Sequence, residues 1–283
     1  MTATEEVAIW QVDAFADRPF SGNPAAVCIL DEFRSDQQLQ EIAAEMNLSE
    51  TAFVVRSEDP HRFRLRWFTP TSEVKLCGHA TLAAAHTLFE QRHVGIDRAI
   101  RFQTLSGELK CTGSEGQVTL DFPIAEALEH VDDEVANEVV NGLGIDCAKL
   151  YRNSFDILAV VDGADTVEQI RPNFGLLGRV DTRGVIVTAR GNGDDADFVS
   201  RFFAPRYGID EDPVTGSAHC CLAPYWGKEL NKTSLLGFQA SRRGGYVACE
   251  LAGTRVKLTG RAVTILFGHL QLPKSATVSH TIG

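Results

Sequence analysis

The chain has 283 residues, 44% of them hydrophobic and 23% charged, a balance suited to burying a large core and unlike that of a disordered chain. Its net charge is -11 at pH 7 and its longest basic cluster is Arg242-Arg243, which argues against nucleic acid as a partner. The start, MTATEEVAIWQ, carries acids where a signal peptide needs bases, and ATLAAAHTLF is too short and too polar to span a bilayer, so a cytoplasmic protein is expected.

In chain order, the first expected elements are the strand runs EVAIWQVDAF and AAVCIL, separated by the turn Ser21-Gly22-Asn23-Pro24. A helix follows from a cap at Ser35 to Asn47, with Leu39, Ile42, Ala43 and Met46 at helical spacing. After the strands TAFVVRS and RFRLRWF, a second helix is expected from Gly78, with Leu82, Ala85, His86 and Phe89 along one face. Further strands, AIRFQTL and GQVTLDF, lead to Pro123. Beyond a polar stretch, Asp132 is placed to cap a helix carrying Val135, Val139 and Val140. In the second half GIDEDPVTGSAHCC crowds carboxylates in front of a helix opening at Gly216.

The two halves repeat each other. Arg66-Trp67-Phe68-Thr69-Pro70 returns as Arg201-Phe202-Phe203-Ala204-Pro205, Gly78-His79-Ala80 as Gly216-Ser217-Ala218, and Phe102-Gln103 as Phe238-Gln239, in the same order and at nearly constant offset. The expected fold is α+β: two pseudo-symmetric domains, 1–122 and 123–268, each a β-barrel-like sheet wrapped around a central α-helix, with 269–283 returning to the first. No GxGxxG, P-loop or GxSxG motif occurs, so no nucleotide cofactor is expected. The seven cysteines lack the close pairing of zinc or redox sites. His219, Cys220 and Cys221 are neighbours that point about 100° apart on a helix, so no metal is expected there.

A helix start offers unpaired N–H groups and the positive end of the dipole, and a glycine there lets a ligand approach the backbone. Two such starts facing each other across a cleft would seat a small carboxylate between His79 on one side and Ser217 and Asp212 on the other, Asp212 being held extended by Pro213. Each residue also has an ordinary structural reading. Asp212 and Ser217 are common helix caps, His79 a satisfied turn histidine, and Glu50, in NLSETAFV, a solvated turn residue.

The blocks DAFADRPFSGNPAAVCIL, MNLSETAFV, RWFTPTSEVKLCGHATLAAAHTL and EDPVTGSAH closely resemble, in order, those of the PhzF family, named for an isomerase of phenazine biosynthesis. The resemblance implies the diaminopimelate epimerase-like fold with its site between two domains. It makes Glu50 the catalytic acid/base, His79 the active-site histidine, and Asp212 and Ser217 the acid and hydroxyl of their block. Substrate contacts are expected from Asn23, Ser49, Cys77, Gly78, Gly216 and Ala218, within or beside those blocks. It also implies a homodimer that, without cofactor or metal, moves a proton on a small carboxylate such as trans-2,3-dihydro-3-hydroxyanthranilate. The related epimerases use two thiols; here Cys77 stands in one such place and Pro213 is expected in the other, which disfavours a two-thiol racemase. An epimerase on the same scaffold, or a non-catalytic metabolite- or partner-binding protein, remain the alternatives.

Overall fold

The computed structural model describes residues 4–126, 129–193 and 195–273. The first half runs β1 (Thr4–Ala14), β2 (Asn23–Leu30), α1 (Asp36–Met46), β3 (Glu50–Arg56), β4 (Arg62–Phe68), β5 (Glu73–Val74), α2 (Gly78–Glu90), β6 (Ile100–Thr104), β7 (Gly107–Ser114) and β8 (Gln117–Pro123). The second runs β9 (Glu129–His130), α3 (Asp133–Leu143), β10 (Lys149–Arg152), β11 (Asp156–Val160), α4 (Ala164–Gln169), α5 (Phe174–Leu177), β12 (Gly184–Arg190), β13 (Phe198–Ala204), β14 (Ile209–Asp212), α6 (Gly216–Leu230), β15 (Ser234–Gln239), β16 (Gly245–Ala252) and β17 (Arg255–Pro273).

The fold is α+β. In the first half β1, β2, β3, β4, β6, β7, β8 and β17 pair in that order, and β17 returns to β1 to close a barrel. In the second, β9 to β13 followed by β15, β16 and β17 form a sheet in which β11 and β12 run parallel, as β2 and β3 do. β17 serves both halves. Its start pairs with β16 on one edge and β8 on the other, and Ala262–Pro273 then lies antiparallel along β1. From Ala262 onward β17 pairs with β1, and residues 274–283 of the segment expected to return to the first half lie outside the described residues.

The repeated motifs are repeated structure. β4 pairs in parallel with β6, and β13 with β15. Arg66 holds Glu73 with two bonds of 2.7 Å, and its counterpart Arg201 holds Glu211 with bonds of 2.7 and 3.0 Å. Each bidentate pair ties a strand to the short strand leading into the next buried helix, α2 or α6.

α2 was expected to show one apolar face, and instead it is buried almost all round by the barrel. Ala80, Ala83, Ala84 and Ala85 keep it thin enough to be enclosed. Thr87 is tolerated inside because its hydroxyl donates to the Ala83 carbonyl at 2.9 Å. Among the described residues no helix is long and apolar enough to cross a membrane.

Candidate active site

Three helices, α1, α3 and α5, have side-chain caps, Ser35 Oγ accepting from Gln38 N, Asp132 Oδ1 from Val135 N and Asn173 Oδ1 from Leu176 N, and the short α4 opens on Gly163 without one. The N-cap residues of α2 and α6, Cys77 and Thr215, make no side-chain cap bond either, so the first-turn N–H groups of both helices are left for something else. The two starts meet. A Cβ built on Gly78 would stand 3.1 Å from the Gly216 Cα, and one on Gly216 the same distance from the Gly78 Cα. Each start is braced alike from one turn along, Thr81 Oγ1 donating to the Cys77 carbonyl and His219 Nδ1–H to the Thr215 carbonyl.

This junction opens on a cavity of about 950 Å³, whose wall includes Glu50, Cys77, Gly78, His79, Asp212, Gly216 and Ser217. Glu50, the first residue of β3, is 9% exposed. Its Oε2 lies 3.1 Å from His79 Nε2, yet the approach lacks the alignment of a hydrogen bond. Both atoms are buried without a hydrogen-bond partner among the described residues. In a native structure such atoms call for an explanation, and a ligand that approaches from the cavity supplies one.

Burial works to depress the His79 imidazole, but Cys77 and Glu50 beside it outweigh that and hold its pKa well above the usual range. Burial likewise raises the Asp212 carboxyl, with the Glu50 charge adding and His79 opposing. Burial, reinforced by Glu50, pushes the Cys77 thiol up to about 11. Glu50, Cys77 and His79 bring their donor atoms within 4.8 Å of one another, the spread of a metal site. The donors fit an ion poorly, since it would have to strip the Cys77 proton and break the His79–Glu50 contact.

Three residues expected at the substrate are not on the cavity wall. Asn23 is fully buried behind it and joins the two halves: its Nδ2 lies 2.8 Å from Asp212 Oδ1, 3.0 Å from the Val214 carbonyl and 3.0 Å from His79 Nδ1. Ser49 is half-buried, its hydroxyl donating to Asn23 Oδ1 at 3.4 Å, and Ala218 is buried in the first turn of α6. Asn23 thus joins His79 to Asp212 from behind the wall. Gly22 makes its place possible, with φ +64° at the turn and Arg243 bonded to its carbonyl at 2.8 Å.

Two contributors were not foreseen. Thr215 Oγ1 donates to Asp212 Oδ2 at 2.5 Å, and Gln239, fully buried, donates to the Asp212 carbonyl at 2.7 Å and accepts from Thr215 N at 2.8 Å. These bonds aim Asp212 into the cavity and away from any capping role. Gln239 had appeared as a repeated residue without a role; its repeat, Gln103, is exposed. The residue facing Cys77 across the junction is Thr215, which corrects the expectation of Pro213.

The duplication also leaves one carboxylate out. β2 and β3 pair with Glu50 opposite Ala25, and β11 and β12 pair with Gly184 opposite Asp156. Where the first half places Glu50 at the start of its strand, the second has Gly184, and a Cβ there would lie 2.3 Å from the Phe202 ring. Of the carboxylates at these paired strand starts, Glu50 lines the cavity, while Asp156 is bound to Arg183.

The model of the phenazine biosynthesis-like family matches residues 12–268. The chain is an isomerase-like enzyme of the PhzF family. An uncharacterized isomerase of Halalkalibacterium halodurans is 48% identical over 93% of this chain and 98% of its own. A phenazine biosynthesis-like domain-containing protein of Mus musculus is 41% identical over 93% and 98%. The crystal structure of a PhzF family protein from Enterococcus faecalis superimposes with a TM-score of 0.87 at 42% identity, covering 95% of this chain and 100% of that one. A hydroxyproline epimerase from Agrobacterium vitis shares the fold at a TM-score of 0.65 and 12% identity, covering 96% of this chain and 94% of its own. The PhzF structure from Enterococcus faecalis shares this architecture over 95% of the chain.

Proposed function

We propose that this PhzF protein is a cofactor-independent isomerase that shifts a proton on a small cyclic or conjugated carboxylate, of the kind of trans-2,3-dihydro-3-hydroxyanthranilate, with Glu50 as the acid/base. The observation that carries the reading is the buried approach of Glu50 Oε2 to His79 Nε2, 3.1 Å apart without hydrogen-bond alignment, on the wall of a cavity that also holds two helix starts without side-chain caps. The first-turn N–H groups at Gly78 and Gly216 take the substrate carboxylate, which fixes the carbon presented to Glu50. Glu50 accepts that carbon's proton, electron density moves along the conjugated system, and the same proton returns to another carbon, so substrate and product are isomers. The imidazolium of His79 steadies the Glu50 carboxylate between turnovers, while Asp212, raised by burial, and the Ser217 hydroxyl face charge developing on the ring's polar groups.

One base on one face favours this over epimerisation, which needs a second acid on the other face. There the structure offers the Thr215 hydroxyl, already donating to Asp212. A crystal soaked with 3-hydroxyanthranilate tests the seat. The expected density places its carboxylate between the Gly78 and Gly216 nitrogens with the ring beside Glu50; a carboxylate bound elsewhere overturns it.

A further inference from the structure

Resting on that reading of the site, we infer that the ring carboxylate it takes bears an arm ending in a second anionic group, which docks on the wall of the second half at Arg183 and tightens binding without being needed for the proton shift. A cavity of about 950 Å³ lies at the upper end of the range that encloses drug-sized ligands, and one small ring at the helix starts leaves most of it unfilled. The wall beyond the junction is built to hold something.

Arg183 immediately precedes β12, next to the duplicated position of Glu50, and its guanidinium is fixed from three sides. Nε donates to Asp156 Oδ1 at 2.8 Å and Nη2 to Asp156 Oδ2, and Asp156 is 1% exposed. The plane stands 5.5 Å from the Phe155 ring centroid and 5.6 Å from that of Phe202. A guanidinium has two edges to offer, and Asp156 takes one of them. Nη1 forms no hydrogen bond among the described residues, and Arg183 lines the cavity with its side chain 34% exposed. Held rigid with one face of donors free, it is preorganised for a carboxylate or phosphate oxygen.

The surroundings agree. Phe155 and Tyr207 are large apolar side chains on this wall that remain exposed, surface that an apolar or aromatic body would cover. Lys75 and Arg152 also line the cavity and form no ion pair among the described residues. The acids on the same lining, Glu50, Asp181 and Asp212, sit at the junction or, in the case of Asp181, pair with Arg206, so Lys75 and Arg152 are further cations open to an anion.

The test is a calorimetric titration with benzoates bearing a 4-carboxyalkyl arm of zero to three methylenes, each against its 4-carboxamide analogue, at low ionic strength. At the best arm length the diacid is expected to bind about tenfold tighter than the amide, as a charge-assisted hydrogen bond gives. Arg183→Met is expected to abolish that advantage and leave amide affinity unchanged. Because this substitution strands a buried carboxylate, Arg183→Met with Asp156→Leu, which removes both charges, is measured beside it and is expected to behave the same way. Equal affinity of acid and amide at every length, or an advantage that survives both variants, overturns the inference while the Glu50 reading stands. Failure of all probes to bind overturns both.

Discussion

Gly78 and Gly216 touch through their backbones, each within 3.1 Å of where the other's Cβ would be. Residues far apart in the chain thereby bring two helix starts together over one cavity, and neither helix could carry a larger residue there without moving the other. Backbone, unlike the end of a flexible side chain, cannot turn aside.

Gly216→Ala is therefore expected to lower unfolding free energy by about 1–3 kcal/mol through overpacking, although alanine is the better helix former. Urea denaturation measures it. The same variant should lose most of its affinity for 3-hydroxyanthranilate, since the two sets of N–H groups are pushed apart.

Asn23 links His79 to Asp212 from behind the wall. Asn23→Ala leaves the Asp212 carboxylate and the Val214 carbonyl short of a buried donor, a loss of about 1–3 kcal/mol. Its catalytic signature should be a fall in kcat larger than any rise in KM, because Asn23 orients the reacting groups without touching substrate. A change confined to KM would contradict that role.

The repeated blocks around Arg66 and Arg201 made the duplicated α+β fold legible, and the structure gives the arginines a reason: each clamps the acid that leads into a buried helix. His79, Asp212 and Ser217 were placed together from the paired helix starts, while Glu50 was singled out only through the resemblance; all four line one cavity. That Asn23 lies off the cavity wall was not legible, because its partners Asp212 and Val214 lie in the other half. The counterpart of Cys77 was misplaced for a local reason. A 3-10 turn at Pro205–Tyr207 lengthens the path from β13 to α6, so counting along from the strand falls short of Thr215. Arg183 carried no motif, since its meaning comes from Asp156 and two rings that only folding brings together.

His79 supplies a pH dependence of stability. Its pKa is raised on folding, so between the ordinary histidine value of about 6.5 and the raised value the native state keeps a proton that the unfolded chain has lost. Stability from this group is complete below about pH 6.5 and declines as pH rises through the folded value. Denaturation midpoints from pH 6 to 9 should fall more for the wild type than for His79→Gln; parallel curves would contradict the assignment.

Thiol chemistry separates the isomerase from an epimerase. Cys147 is exposed, while Cys77 is buried with its thiol pushed up to about 11. Iodoacetamide at pH 7 should label Cys147 first and spare Cys77 in the native protein. Cys77→Ser should keep proton exchange within about tenfold of wild type, a modest effect on the rate scale of proton transfer; complete loss would favour a thiol base.

The central claim is that Glu50 moves the proton. Incubating the protein with trans-2,3-dihydro-3-hydroxyanthranilate and related unsaturated ring carboxylates in D2O, and following carbon-bound deuterium by NMR, measures this directly. Wild type should isomerise or exchange at least one of these acids, and Glu50→Gln should stop it, a loss of at least about 10²-fold, while keeping the fold and the affinity for 3-hydroxyanthranilate. Exchange at the wild-type rate in Glu50→Gln, or none by wild type on any of them, would contradict the account.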